Sequence, residues 1–433
     1  MRYKSFLAAL LVGLLVFGLL SSGCLAGSGF NWRQFAGESI RVLALKFYYT
    51  DLIAKKLPEF EALTGMKVTL ETYPEDQFRQ KIVVELAGGS TRIDAFTTGT
   101  SYEGRKFFVS GWYEPLDKYI KDPKLTNPDW DPNDFVKSVW NAQVMDGTRV
   151  AIPLNAVTWL LIYREDLYKK FGLAVPQTME ELELNAKKLT FDEVYGYVGR
   201  GKRTQSIPTW AIFLHAFGGR WLDENRNPAI NSPEAVQSLE FYAKLMREYA
   251  NPGAAENHWY DVLSMMQQGK AAQIIDTNAW VGALSNPEKS KVYDKVSYAP
   301  IPAGPVGRVA ELWSWNMAIS SLSKKKKPAW LFVQWVTGKN VQRYIQLNRF
   351  PSARQSAWND PEFAKISNKI WLKSTLESFE NARPICHPSV VEIHQVEDVI
   401  GSAIVDVILG NKTAKEALDD AAKEMKEIMM ATE

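Results

Sequence analysis

Apolar and polar positions in the first third of the chain follow two periods in turn, that of strands and that of helices. Ile40 to Leu45 is apolar and β-branched, as a buried strand requires. A helical pattern then runs from Asp51 to Leu63 and stops at Gly65. Val68 to Glu71 predicts a second strand, Asp76 to Ala87 a second helix closed by Gly88-Gly89, and Ile93 to Thr97 a third strand. Strands alternating with helices of this length predict a parallel sheet covered on both faces.

The theme returns in longer form. Leu160 to Tyr163 predicts a strand, and the helical stretch from Arg164 closes at Gly172. Thr178 and Glu181 have the spacing of a capping box, and Ala272 to Ile275 is another apolar strand. In the last helix, capped by Asn411 or Thr413, Leu418, Ala421, Met425 and Ile428 fall on one face. A chain of 433 residues is too long for one core and long enough for two. The expected fold class is α/β: two lobes, each a mostly parallel sheet flanked by helices.

The N-terminus has a different pattern. Arg2 and Lys4 precede an unbroken apolar run from Phe6 to Leu20, which is followed by Ser21-Ser22-Gly23-Cys24. That is the layout of an export signal over residues 1–24, with an uncleaved anchor helix as the alternative. The run is too short and wrongly flanked for a comfortable membrane span. Cys24 resembles the lipidated cysteine of secreted lipoproteins, although Leu20 stands four places before it rather than three. Residues 25–37, with Ala26-Gly27-Ser28-Gly29, are expected to form a flexible tether. Cys386 is the only other cysteine, so lipidation of Cys24 would leave no internal disulfide. With 51 Lys and Arg against 49 Asp and Glu, nothing suggests a nucleic-acid surface. The run Lys324 to Lys327, just before Pro328, is expected to be a solvated helix start rather than an anion site.

Several segments resemble the family 1 extracellular solute-binding proteins of ABC importers, which include maltose- and trehalose-binding proteins. They are IDAF at Ile93–Phe96 with SGWYEPLD at Ser110–Asp117, and AIPLNAVTWLLIYREDLYKKFGL at Ala151–Leu173. Further on come MMQQGKAAQIIDTNAW at Met265–Trp280, VSYAPIPAGP at Val296–Pro305, WSWNMAIS at Trp313–Ser320, NARPICHP at Asn381–Pro388, and ILGNKTAKEALDDA near the end. The order and spacing of these segments span nearly the whole mature chain. The resemblance implies a clamp whose chain crosses between lobes three times, near Asn155, between Tyr298 and Gly307, and near Asn348 to Ser352. The implied lobes are 38–154 plus 308–347 and 155–307 plus 348–433. It also implies a small-molecule ligand, a mono- or oligosaccharide first, and an ABC permease that receives it after hinge closure. The location implied is the outer face of the cytoplasmic membrane, as a lipid-anchored monomer, or the periplasm.

The same resemblance places Trp315 where relatives stack on sugar, with Trp280 and Trp313 nearby and Arg383 reaching from the second lobe. A pyranose offers C–H faces that suit indole and hydroxyl edges that need polar partners. Trp210 and Tyr102 are further aromatic candidates, with packing as core the alternative for each of these rings. Asn155 stands at the first crossing, and Gln77 and Thr100 follow from loop position. Sugar-binding relatives often carry carboxylates in the first-lobe loops and at the first crossing, whereas this chain has Phe47-Tyr48-Tyr49, Gly99 and Val157 there. Lys46, Tyr48 and Tyr49 could instead receive a solute with a negative group.

No cofactor is expected, and no glycine-rich phosphate loop or nucleophile elbow is present. Cys386, His387 and His394 invite zinc, but no second compact ligand cluster supports it. The rival reading from another class is a secreted carbohydrate-active hydrolase, which needs two facing carboxylates. The expectation is a binder and not an enzyme.

Overall fold

The computed structural model describes residues 29–431. Its strands are β1 (Ser39–Leu45), β2 (Lys67–Tyr73), β3 (Ala95–Thr98), β4 (Val144–Met145), β5 (Thr148–Arg149), β6 (Ile152–Pro153), β7 (Val157–Arg164), β8 (Gln273–Thr277), β9 (Val296–Ala299), β10 (Ala310–Trp313), β11 (Asn316–Ile319) and β12 (Ala382–Arg383). The first sheet has the order β2-β1-β3-β11-β6. β1 runs parallel to β2 and β3, with Val42 opposite Leu70 and Ala95, and the helices Tyr48–Thr64 and Glu75–Ala87 make the crossovers. β11 then runs antiparallel to both β3 and β6, Met317 lying between Thr97 and Ile152, so β6 points the same way as β1 to β3.

The second sheet is organised differently from expectation. β7 is antiparallel to β8, β9 and β10, and only the short pair β10–β12 is parallel. Every residue of β7 is buried. An unbroken buried run shows that a strand is covered on both faces, and does not give its neighbours' direction.

The chain passes between the sheets where strands of one give way to strands of the other. β6 and β7 flank the first passage, which holds Asn155. The second lies at Ser314-Trp315, between β10 and β11. This corrects the expectation of Tyr298 to Gly307, and moves the boundary at 308 to the same place. Both β9 and β10 belong to the second sheet, and the prolines between them only turn the chain within one lobe. Proline excludes helix and withholds a ladder donor, which suits a turn as well as a hinge. In the third passage Ala353 packs in the first-lobe core and Trp358 in the second-lobe core. Arg354, between them, is fully buried and donates through Nε to the Thr337 carbonyl at 2.8 Å.

Each lobe has its own core, Trp330, Phe60 and Ile319 among others in the first, and Trp210, Leu161 and Ile404 in the second. Phe30, Trp32 and Phe35 already pack on the first-lobe core, so the stretch expected to be tether is docked from Phe30 onward. Cys24 and the expected export signal lie outside the described residues. Among the described residues no helix is long and apolar enough to cross a membrane.

Candidate functional site

A cavity of about 570 Å³ lies between the lobes, lined from both sheets' strand-end loops and from the first two passages. This is where open α/β sheets present their binding loops, and the volume is that of a small-molecule site. Leu45 ends β1 and Lys46 to Tyr48 follow it, Pro74 to Asp76 follow β2, and Thr277 ends β8 with Ala279 and Trp280 after it.

On the first lobe the central group is Arg79, on the helix Glu75–Ala87. Its Nη1 donates to Glu103, which is buried, and its Nη2 donates to Glu75 at 2.9 Å. Burial opposes the charge, but Glu103 and Glu75 outweigh it and hold the guanidinium firmly protonated. The guanidinium carbon lies 4.1 Å from the ring centre of Tyr102 and 5.1 Å from that of Trp315. Such contacts fix a flat donor fork in place.

The second lobe repeats the device. Arg200 donates through Nε to Asp276 at 2.8 Å and through Nη2 to the other carboxylate oxygen. Asp276 is fully buried on β8, and burial raises its pKa while Arg200 opposes the rise. Arg200 rests 4.6 Å from the Trp159 ring and 5.8 Å from the Trp280 ring. Both arginines therefore reach the cavity with their charge already matched by a buried carboxylate.

The passages supply the wall between these halves. Trp313 and Trp315 meet edge to face at 5.8 Å, and both line the cavity. Asn155 accepts the Trp315 N–H at 2.9 Å on its side-chain oxygen, so its amide NH₂ is left for the cavity it lines. Gly99 is explained by Trp313, because a Cβ there would stand 3.0 Å from the indole ring. His387 lines the cavity and pairs through Nδ1 with the buried Glu397.

Of the residues expected from sequence, Trp280, Trp313, Trp315, Asn155, Tyr102 and Tyr48 line the cavity. Five others do not. Trp210 is fully buried and donates to Ser238 at 3.1 Å, whereas Thr204, Gln205 and Pro208 of the same helix face the cavity. Positions i and i+4 share a helix face, and Trp210 lies off the face of Thr204 and Pro208. Tyr49 is core and its hydroxyl accepts from Gln342 at 3.0 Å. Thr100 is buried, donating to Gln143 at 2.6 Å. Gln77 is exposed on its helix, where Glu75, Asp76 and Arg79 take the cavity-facing side. Arg383, opposite Glu311 in the β10–β12 pair, is exposed, and from its segment Cys386 and His387 reach the cavity instead.

The apparent lack of acids is also corrected. Asp51, Glu75, Asp76 and Glu397 line the cavity with Lys46, Arg79 and Arg200. Glu75 and Asp76 follow β2, so the strand-end rule pointed to them. Trp159, Trp259 and Tyr260 were likewise missed.

The family model of bacterial extracellular solute-binding proteins matches residues 48–343. The chain belongs to that family. This solute-binding protein is 26% identical over 381 residues to a mannitol-binding protein of Pseudomonas aeruginosa, covering 81% of this chain and 85% of that one. It superposes with a TM-score of 0.83 on an ABC transporter solute-binding protein of Agrobacterium radiobacter K84 in complex with ribitol, at 28% identity over 91% of this chain and 99% of that one. Maltose-bound MalE3 of T. maritima gives 0.80 at 25% identity, over 90% and 100% of the two chains. The two-lobed periplasmic binding fold is thereby shown, and the solute-binding protein shares it with proteins that hold polyhydroxylated ligands.

Proposed function

We propose that this protein captures a neutral polyhydroxylated solute, a sugar or sugar alcohol, and delivers it to an ABC-transporter permease by closing its lobes. The observation that carries this reading is the pair of arginines, Arg79 and Arg200, each neutralised by a buried acid and flanked by aromatic rings. A neutralised guanidinium offers hydrogen-bond donors without net positive charge. Three lining cations stand against four lining carboxylates, which disfavours the anionic solute suggested by Lys46 and Tyr48. Trp280 and Trp315 supply faces for C–H groups, and the acids accept from hydroxyls. The relatives named above bind mannitol, ribitol and maltose, which supports the same class.

The protein acts as a monomeric binder and not as an enzyme, and returns its solute unchanged. It is held outside the cell by lipid on Cys24. Mass spectrometry of the membrane form checks the anchor, and an unmodified Cys24 on a mature chain refutes it. A thermal-shift screen over ribitol, D-mannitol, maltose, amino acids and organic acids tests the solute class. Stabilisation by a polyhydroxylated compound and by no acid is the expected result. Stabilisation by acids alone overturns it.

A further inference from the structure

Four histidines are present in the chain, and His387 differs from the others in what surrounds it. His394 uses Nδ1 on the Tyr102 hydroxyl, while His215 Nε2 and His258 Nδ1 are buried without a hydrogen-bond partner among the described residues. His387 Nδ1 is committed to Glu397, and its Nε2 has no hydrogen-bond partner among the described residues. Nε2 is not among the buried unpartnered atoms either, so it keeps accessible surface, and the residue lines the cavity.

The ring is held on three sides. Tyr102 meets it edge-on at 5.0 Å, Trp313 at 5.5 Å, and Glu397, 1% exposed and itself at the cavity wall, engages Nδ1. In the neutral ring a carboxylate beside Nδ1 selects the tautomer with the proton on that nitrogen, which leaves the lone pair on Nε2. An acceptor thus faces the space where the solute lies. We infer that His387, oriented by Glu397, is a specificity-determining residue whose Nε2 accepts a hydrogen bond from a solute hydroxyl.

This role rests on the reading of the cavity as a site for a polyhydroxylated solute, and sharpens it. A hydroxyl can donate to Nε2, whereas a ketone or carboxylate oxygen would set lone pair against lone pair. A site built around a hydroxyl rejects the analogue lacking it far more strongly than a merely apolar pocket does. The arginines and lysine offer only donors, so His387 reads the opposite polarity from the same solute.

The test titrates the purified protein with D-mannitol, ribitol and maltose by calorimetry and records ¹H–¹⁵N spectra of its histidine rings. The Nε2 resonance of His387, assigned by its loss in His387→Asn, should move at saturation with whichever compound binds. His387→Phe should weaken that compound about tenfold, the value of one hydrogen bond of roughly 1.4 kcal/mol. His387→Asn, which keeps an acceptor, should recover part of the loss. Binding by the wild type with a stationary Nε2 resonance overturns the role of His387 and leaves the solute class standing, even if the Phe variant does not fold. Failure of the wild type to bind any of the three overturns the solute class and the role with it.

Discussion

The Tyr102 hydroxyl of the first lobe meets Nδ1 of His394 on the second at 2.8 Å. Lys106 and Glu392 approach to 4.0 Å beside it, so the lobes touch along this edge as well as through the three chain passages. A contact made only when the lobes are together favours the closed population by its own free energy. Tyr102→Phe keeps the ring on Arg79 and removes only the hydroxyl. Taking about 1 kcal/mol for the hydrogen bond, the open population without solute should rise about fivefold. Small-angle scattering should then give the variant a larger radius of gyration than the wild type, and the same radius at saturation with solute.

Acid should loosen the protein where its buried histidines titrate. Burial lowers His215 from 6.5 to about 4, and lowers His394 as well, with Arg79 adding to the latter effect. A depressed histidine means that the unfolded chain binds more protons in the window between the two values. Stability therefore rises with pH there and is lost as pH falls from about 6.5 towards 4. The melting temperature should drop across that window, and His215→Gln should flatten the slope. An equal slope in the variant would show that another group dominates.

Two tryptophans should separate affinity from stability. Trp315 lines the cavity, whereas Trp210 is fully buried among helices. Trp210→Ala should cost about 3–5 kcal/mol of stability, as large-to-small core changes do, with affinity nearly kept in what still folds. Trp315→Ala should lose about thirtyfold in affinity, the cost of a central aromatic anchor, with a smaller effect on melting. Calorimetric titration beside denaturant unfolding reads both quantities.

These contrasts mark what could be read in the sequence. The helices at Asp51 and Asp76 and the strands β1 to β3 follow from local periodicity, which a linear pattern records directly. Trp315 and Trp280 stood out because motif position and chemistry agreed. Arg79 and Arg200 did not, since their roles come from Glu103 and Asp276, at separations of 24 and 76 residues. No local signal links such partners. Trp210 and Gln77 went wrong through helix phase, where a shift of one or two positions turns a side chain away from the cavity.

Arg383 provides a sharp negative. It is exposed on β12 and lies outside the cavity, although its position in the NARPICHP segment implied contact with solute. Arg383→Ala should change stability by no more than about 0.5 kcal/mol, as surface substitutions do, and should leave affinity unchanged. A tenfold loss in calorimetric titration would return it to the site.

The Arg200–Asp276 pair allows binding and folding to be taken apart by a cycle. Asp276 is fully buried, and Thr277 N–H also donates to it at 2.7 Å. Arg200→Leu strands that carboxylate, and removing one partner of a buried ion pair costs about 3–5 kcal/mol. Adding Asp276→Asn removes the stranded charge and keeps an acceptor for Thr277, so most of the stability should return. Affinity should not return, because the donor fork between Trp159 and Trp280 is still missing. Denaturant unfolding and calorimetric titration of both single variants and the double variant would measure the coupling directly. If affinity recovers with stability, Arg200 serves the fold of the second lobe and does not hold the solute.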